Sequence, residues 1–280
     1  MIIFGAGGQL GYAFSKIFPD AHTFTHEEVD IADAVAVEKI LSDFHPQTII
    51  NAAAYPNAEK AEDIDTLEAY RVNVLGAITL ARGAQKHQAT LVHFSTDYVF
   101  DGETEDGFAE TDAPRPRNIH GLSKLASEEA IRAYLGEHYI IRTSALFGPR
   151  EGSFGRNFVT KRIEQALAQE PIQMVNDQWT VPTYTFDVAH TVKSMLEKKC
   201  THGVYHIVGG GGGATWYEFA EEVCALAHID ADITPVSTDD APSRLFRPRR
   251  SILKDTKLSS QGISLPLWRD SLKAYITTYK

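Results

Sequence analysis

The stretch IIFGAGGQLG, from Ile2 to Gly11, sets the fold expected for the whole chain. A short apolar strand runs into glycines spaced G-x-x-G-x-x-G, and a helix pattern follows at once. Gly5 allows a sharp turn out of the strand, Gly8 leaves room for backbone to approach a pyrophosphate, and Gly11 lets helix and sheet pack closely. The stretch therefore predicts a dinucleotide-binding turn at the first strand of a Rossmann-like sheet.

Apolar strands alternate with amphipathic helices through the first half of the chain, as in a parallel sheet covered on both faces. The predicted fold class is α/β, with a Rossmann-like parallel sheet, helices on both faces, and a smaller mixed α/β substrate-binding domain. We assign residues 1–145, with a return segment near 176–208, to the NAD(P)-binding domain. Residues 146–175 and 209–280 form the substrate-binding domain. A long helix is predicted near Glu68–His87, and the five glycines at 209–213 are interpreted as a flexible connection.

Composition narrows the classes of partner. The 280 residues carry a net charge of −10, which argues against nucleic acid, because phosphate binding needs a basic surface. No apolar run reaches the length of a membrane span, and the N-terminus lacks the features of a signal peptide, so we expect a cytoplasmic protein with no membrane partner. The two cysteines have no neighbours at metal-ligand spacing, and no metal site is predicted.

The end of the second strand bears on the choice of cofactor. An acid there would hold the ribose hydroxyl of NAD and repel the phosphate of NADP. Thr25 and His26 occupy this position and can donate hydrogen bonds, so NADPH is favoured; Glu27 and Glu28 follow and keep NADH as the alternative. The residues predicted to bind the cofactor are Gly5, Gly8, Gln9, Leu10, Gly11, Thr25, His26, Asp30, Ile31, Ala52, Ala53 and Ala54. Asp30 is equally well explained as a helix-entry residue.

Three stretches follow predicted strands or open the next helix: NAAAY at 51–55, FSTDYVFDG at 94–102 and HGLSK at 120–124. Ligands of open α/β sheets bind at this edge. Together with GAGGQLG, RTS at 142–144, NFV at 157–159 and WYEFA at 216–220, these stretches resemble the dTDP-4-dehydrorhamnose reductase family of extended short-chain dehydrogenases/reductases. The resemblance covers most of the chain.

That resemblance implies reduction of the 4-keto group of a nucleotide-linked deoxysugar by a nicotinamide cofactor. In the family a threonine binds the reacting oxygen, and a tyrosine four residues before a lysine donates the proton. Thr96 and Lys124 match the threonine and the lysine, and Lys124 is expected to bind the nicotinamide ribose as well. His120 occupies the tyrosine position. Because a nearby lysine cation should lower the pKa of His120, we expect a neutral imidazole near pH 7.

Three interpretations of His120 stay open. It serves as the acid of an enzyme with altered pH dependence or substrate; or catalysis is weak and depends on Thr96, Lys124 and water; or reductase chemistry has been lost and the protein binds nucleotide as a regulatory subunit. The oligomeric state is also open, with a homodimer among the options.

The predicted substrate contacts are Thr96, Asp97, Ala145, Asn157 and Arg247. Ala145 stands where the family has a tryptophan against the sugar, which predicts a larger or differently lined pocket. Arg247 belongs to the basic run RLFRPRR at 244–250. We interpret this run as a clamp for the diphosphate of the nucleotide sugar, since arginine forks match phosphate oxygens; the alternative is a solvated loop.

Overall fold

The computed structural model describes residues 1–150, 157–241 and 243–279; the loop EGSFGR at 151–156, expected to lead into the second part of the chain, lies outside the described residues. Six parallel strands form the central sheet in the order β2-β1-β3-β4-β5-β10. Their bounds are β1 Ile2–Phe4, β2 His22–Phe24, β3 Thr48–Asn51, β4 Thr90–Thr96, β5 His138–Thr143 and β10 Gly203–His206. The last of these brings the segment near 176–208 back to the sheet beside β5.

The order of the strands decides where a ligand can bind. The chain moves from β1 outwards to β2, and then returns to place β3 on the other side of β1. The loops after β1 and β3 therefore leave the sheet in opposite directions and open a crevice at their carboxyl ends. The crevice lies directly beyond the glycine-rich turn.

Helices cover both faces of the sheet, which confirms the predicted α/β class. On one face α1 and α8 share an apolar cluster with the sheet, and on the other α2, α5 and α6 do so. Their bounds are α1 Gln9–Ile17, α2 Ala34–Phe44, α3 Ala58–Glu62, α4 Thr66–Tyr70, α5 Gly76–His87, α6 Ile119–Tyr134, α7 Phe158–Leu167, α8 Thr185–Glu197, α9 Trp216–Ala227, α10 Thr256–Ser259 and α11 Trp268–Tyr279. Among the described residues, no helix is both long and apolar enough to cross a membrane.

The long helix predicted near Glu68–His87 is not regular. A π-helical turn, Arg71–Leu75, separates α4 from α5. The wider turn lets the Asn73 side chain face inwards, where Oδ1 accepts from the Tyr55 amide at 2.9 Å and Nδ2 donates to Ser123 Oγ at 2.9 Å. Apolar periodicity could not reveal this turn, because tertiary hydrogen bonds hold it.

The rest of the chain forms a smaller mixed α/β region, with α7, α9 and α11 around one apolar cluster. It carries three two-stranded sheets, formed by β6 Leu146–Phe147 with β9 Thr183–Tyr184, β7 Ile172–Val175 with β12 Ile233–Val236, and β8 Trp179–Thr180 with β11 Ala214–Thr215. The glycines at 209–213 are more than a flexible connection. A Cβ at Gly209 would lie 2.4 Å from the Pro182 carbonyl oxygen and 2.7 Å from Trp268 Cβ, so the chain crosses α11 too closely for a side chain.

Candidate functional site

A cavity of about 890 Å³ lies at the carboxyl ends of β1, β3 and β4 and extends to the C-terminal region. It brings together most of the residues predicted from the sequence. Those that line it are Gly5, Gly8, Gln9, Leu10, His26, Asp30, Ile31, Ala52, Ala53, Ala54, Thr96, Asp97, His120, Lys124, Ala145 and Arg247. Gly11, Thr25 and Asn157 are predicted site residues that do not line it.

One end of the cavity is built from backbone. Gly5 has φ +82°, and a Cβ there would lie 2.4 Å from the Ala53 amide nitrogen; at Gly11 a Cβ would lie 2.1 Å from the Gly5 carbonyl oxygen. Gly8 precedes α1 without a side-chain cap, so the first amides of α1 are free to meet an anion. The turn thus fits the pyrophosphate of a dinucleotide, and Gly11 acts by packing rather than by contact.

At the end of β2 the structure differs from what the sequence predicted. Glu28 turns its carboxylate back to accept from the Thr25 amide at 2.7 Å, so an acid does stand at the end of β2. This hydrogen bond lowers the pKa of Glu28. The cation Arg71 lines this part of the cavity. It pairs with Asp30 and, at 2.7 Å, with Glu68. Sequence reasoning missed Arg71, which lines the cavity from the first residue of the π-helical turn.

At the other end the start of α6 lies against the turn that follows β4, a 3-10 turn at Asp97–Val99. Asn118 caps α6 by accepting from the Gly121 amide at 2.7 Å. A Cβ on Gly121 would lie 2.0 Å from the Tyr98 carbonyl oxygen, so only glycine permits this approach. The contact places His120 edge-on to the Tyr98 ring, with centroids 6.1 Å apart.

Lys124 and His120 share one face of α6, as the spacing of four residues predicted. Lys124 is buried and donates from Nζ to the Phe94 carbonyl at 2.7 Å. Burial lowers the pKa of Lys124 to about 8, against the opposing charge of Glu128, so the cation persists at pH 7. Burial, and then the Lys124 charge, lower the pKa of His120 to about 4. His120 is therefore neutral near pH 7, and its buried Nδ1 has no hydrogen-bond partner among the described residues.

Thr96 ends β4 and carries a hydroxyl with two partners in the protein. Its Oγ1 accepts from the Tyr98 amide at 3.2 Å and donates to Asp97 Oδ1 at 3.0 Å. Asp97 is only 5% exposed. Burial raises the pKa of Asp97 to about 6, although Ser251, Thr96 and nearby backbone amides oppose the shift.

A buried ion pair between Glu128 and Arg142 stabilises the end of the cavity that contains Thr96 and Lys124. Glu128 on α6 accepts from Arg142 Nε at 2.9 Å and Nη2 at 2.7 Å, and from Ser95 Oγ at 2.5 Å. Both charged side chains are almost fully buried, so removing either one would leave an uncompensated charge. The pair locks α6 to β4 and β5, and thereby holds Lys124 beside Thr96.

The predicted substrate residues separate into two groups. Ala145, at φ +40°, and Arg247 line the cavity, and Arg247 is held at 2.6 Å from Glu59. Asn157 instead caps α7, accepting from the Thr160 amide at 3.1 Å and donating to the Gly148 carbonyl at 2.9 Å. Of the described arginines in the run at 244–250, Arg247 alone lines the cavity, beside Pro248, and its role as a diphosphate clamp stays a prediction.

Several lining residues were not predicted as site residues. Among them are Tyr55, Glu68, Arg71, Tyr98, Arg150, Gln178, Thr180, Trp216 and Ser251. Arg150, Gln178, Trp216 and Ser251 come from loops or a helix start in the second half of the chain, where no periodic pattern marks a binding surface. Tyr55 and Tyr98 lie within the stretches NAAAY and FSTDYVFDG and could have been included by position.

Comparison with known proteins gives a match along the full chain. Residues 1–280 match the family described as RmlD substrate binding domain. The chain is 34% identical over 290 residues to dTDP-4-dehydrorhamnose reductase of Aggregatibacter actinomycetemcomitans, covering 98% of this chain and 97% of that protein. It is 32% identical over 281 residues to spore coat polysaccharide biosynthesis protein SpsK of Bacillus subtilis, with coverages of 99% and 96%. A dTDP-4-dehydrorhamnose reductase structure from Bacillus anthracis, in complex with NADP, has a TM-score of 0.93 and 33% identity, with coverages of 99% and 98%.

Proposed function

The chain belongs to the RmlD substrate-binding-domain family, as its motifs predicted, and from that premise we propose that it reduces the 4-keto group of a nucleotide-linked deoxysugar with NADPH. The substrate we propose is dTDP-4-dehydro-L-rhamnose, which would become dTDP-L-rhamnose. One observation carries the proposal: Thr96, His120 and Lys124 line the same cavity as the glycine-rich turn.

The residues at the backbone end would hold the cofactor. Free amides at the start of α1 would receive the pyrophosphate. Lys124, which lines the other end of the same cavity, is proposed to bind the nicotinamide ribose. When bound, the cofactor supplies the hydride. NADPH rather than NADH is proposed because His26 and Arg71 line the cavity and because the Bacillus anthracis reductase binds NADP.

At the reacting end, Thr96 lies at the position expected to contact the ketone oxygen, while the Lys124 cation stabilises negative charge that develops there. Arg247 faces the substrate part of the cavity, where a diphosphate would lie. A nucleotide sugar is therefore the proposed partner; a homodimer and a cytoplasmic location stay predictions from the sequence.

The test is NADPH oxidation by the purified protein with dTDP-4-dehydro-L-rhamnose, followed at 340 nm. We expect turnover by the parent protein and no turnover with the substrate omitted. Calorimetric titration with NADPH and NADH runs in parallel, and tighter binding of NADPH is expected.

The variant His120→Tyr separates an active reductase from a protein that only binds nucleotide. If the parent binds NADPH without turnover and His120→Tyr gains activity, the chemistry has been lost and the reductase proposal is wrong. If neither form binds either nucleotide, the cofactor assignment is wrong as well.

A further inference from the structure

The Thr96 hydroxyl has one proton, and its direction depends on Asp97. When Asp97 is ionised, Thr96 must donate to Oδ1 at 3.0 Å and has no proton left for a ketone oxygen. When Asp97 is protonated, the carboxyl can donate to Thr96 Oγ1 instead, and the hydroxyl is free to donate into the cavity. The Tyr98 amide donates to the same oxygen at 3.2 Å in either state.

The surroundings of Asp97 favour a neutral carboxyl. The charged and titratable groups that line this end of the cavity with it are Tyr98 on its own turn, His120 and Lys124 on α6, and Arg247 on the C-terminal loop. Lys124 donates to the Phe94 carbonyl and Arg247 pairs with Glu59, and among the described residues neither cation forms an ion pair with Asp97.

A simple estimate compares the two candidate acids at pH 7. With a pKa of about 6, about one Asp97 in ten carries a proton. With a pKa of about 4, about one His120 in a thousand does so. The buried Nδ1 of His120 also has no hydrogen-bond partner among the described residues. Asp97 therefore carries a proton more often than His120 at pH 7.

We propose that Asp97 supplies the proton of the reduction through the Thr96 hydroxyl, in place of a tyrosine at position 120. This inference rests on the proposed reductase function. As the carbonyl carbon accepts hydride, the electron pair of the C=O π bond moves to oxygen, which takes the Thr96 proton. The Asp97 O–H bond breaks to restore the Thr96 hydroxyl. Asp97 is left as a carboxylate and regains a proton from water after the product leaves. The two electrons arrive with the hydride from the reduced nicotinamide of NADPH, which is oxidised in the same step.

The experiment measures kcat with NADPH and dTDP-4-dehydro-L-rhamnose from about pH 4.5 to 8.5 for the parent and for Asp97→Asn. The parent rate is expected to fall as pH rises through about 6. Asparagine keeps the shape of the side chain but has no acidic proton, so kcat should drop about 100-fold. The fall in kcat with rising pH, called the limb below, should disappear. The matched control is Asp101→Asn, which removes a carboxylate four residues further along and should behave like the parent.

Three kinetic results would overturn the inference. A limb that persists unchanged in Asp97→Asn would make Asp97 structural only. Full parental kcat in Asp97→Asn above pH 7 would mean that the residue only orients the hydroxyl. A parental limb that is retained in Asp97→Asn and lost in His120→Gln would assign the acid to His120.

Readouts other than turnover keep these outcomes distinct from misfolding and from failure of the proposed function. Asp97→Asn should bind NADPH within about twofold of the parent, and a 13C NMR titration should show a carboxyl signal with a pKa near 6 that the variant lacks. Thr96→Ser should keep the limb, whereas Thr96→Val should lose activity. If the parent binds NADPH but is inert at every pH, both the reductase function and this inference are wrong. If the parent is active and Asp97→Asn shows the same dependence of kcat on pH, only this inference is wrong.

Discussion

The two ends of the cavity are built from different kinds of atoms. The dinucleotide end is made of backbone, with Gly5 and Gly11 where a Cβ would meet other main-chain atoms. The reacting end is made of side chains that can gain or lose protons, namely Asp97, His120 and Lys124. The comparison teaches that shape governs the first end and protonation governs the second, so each should respond to a different perturbation.

The largest expected effect is at the dinucleotide end. In Gly11→Ala the new Cβ would lie 2.1 Å from the Gly5 carbonyl oxygen, and backbone on both sides must move. We expect the free energy of unfolding to fall by about 3 kcal/mol and NADPH binding to weaken at least about 100-fold. Urea denaturation and calorimetric titration measure both quantities.

The matched control for that prediction is Gly136→Ala, because nothing lies within 4 Å of a Cβ built there. This variant should match the parent within about 0.5 kcal/mol. Parental NADPH affinity in Gly11→Ala would contradict the view that shape alone governs this end.

The second prediction concerns how the free energy of unfolding depends on pH through buried histidines and Asp97. Burial lowers the pKa of His93 well below its usual value and that of His206 to about 4. Between about pH 4.5 and 6 the unfolded histidines hold protons that the folded ones lack, so stability falls with falling pH by about 1.4 kcal/mol per unit for each. Asp97 acts in the opposite sense, because its folded pKa is raised and it takes up a proton on folding.

The variant Asp97→Asn tests this balance. Removing the opposing group should steepen the fall in stability between about pH 4.5 and 6 by about 1.4 kcal/mol per pH unit. Urea denaturation at several pH values gives the slope. The Asp101→Asn protein serves as the control, and equal slopes for parent and Asp97→Asn would show that Asp97 is not protonated in this range.

The smallest effect is on His120 itself. In Lys124→Met the cation beside His120 is removed while burial remains, so the pKa of His120 should rise by about one unit and still lie below 6.5. NMR titration of the imidazole measures it. Lys86→Met, which alters an exposed lysine paired with Glu38, should leave the value unchanged. No change in Lys124→Met would mean that burial alone sets the pKa.

Much of the fold followed from the sequence. The alternation of strands and helices in the first half was predicted because buried parallel strands are continuous apolar runs. The π-helical turn and the crossing of Gly209 over α11 were missed, because contacts between distant segments produce them.

By itself, the sequence determined the glycine-rich turn, the class of the fold and the family, since each depends on local pattern or residue identity. That His120 occupies the tyrosine position of the family stays a prediction from the sequence. The neutrality of His120 was expected from Lys124, but only the tertiary structure shows burial as the larger cause of its lowered pKa. Only the tertiary structure also decided that burial raises the pKa of Asp97, and that Arg71 faces the cavity while Asn157 caps a helix. The physical reason is that burial and the position of neighbouring charges set protonation and direction. Both arise from residues far apart in the chain and close together in the folded protein.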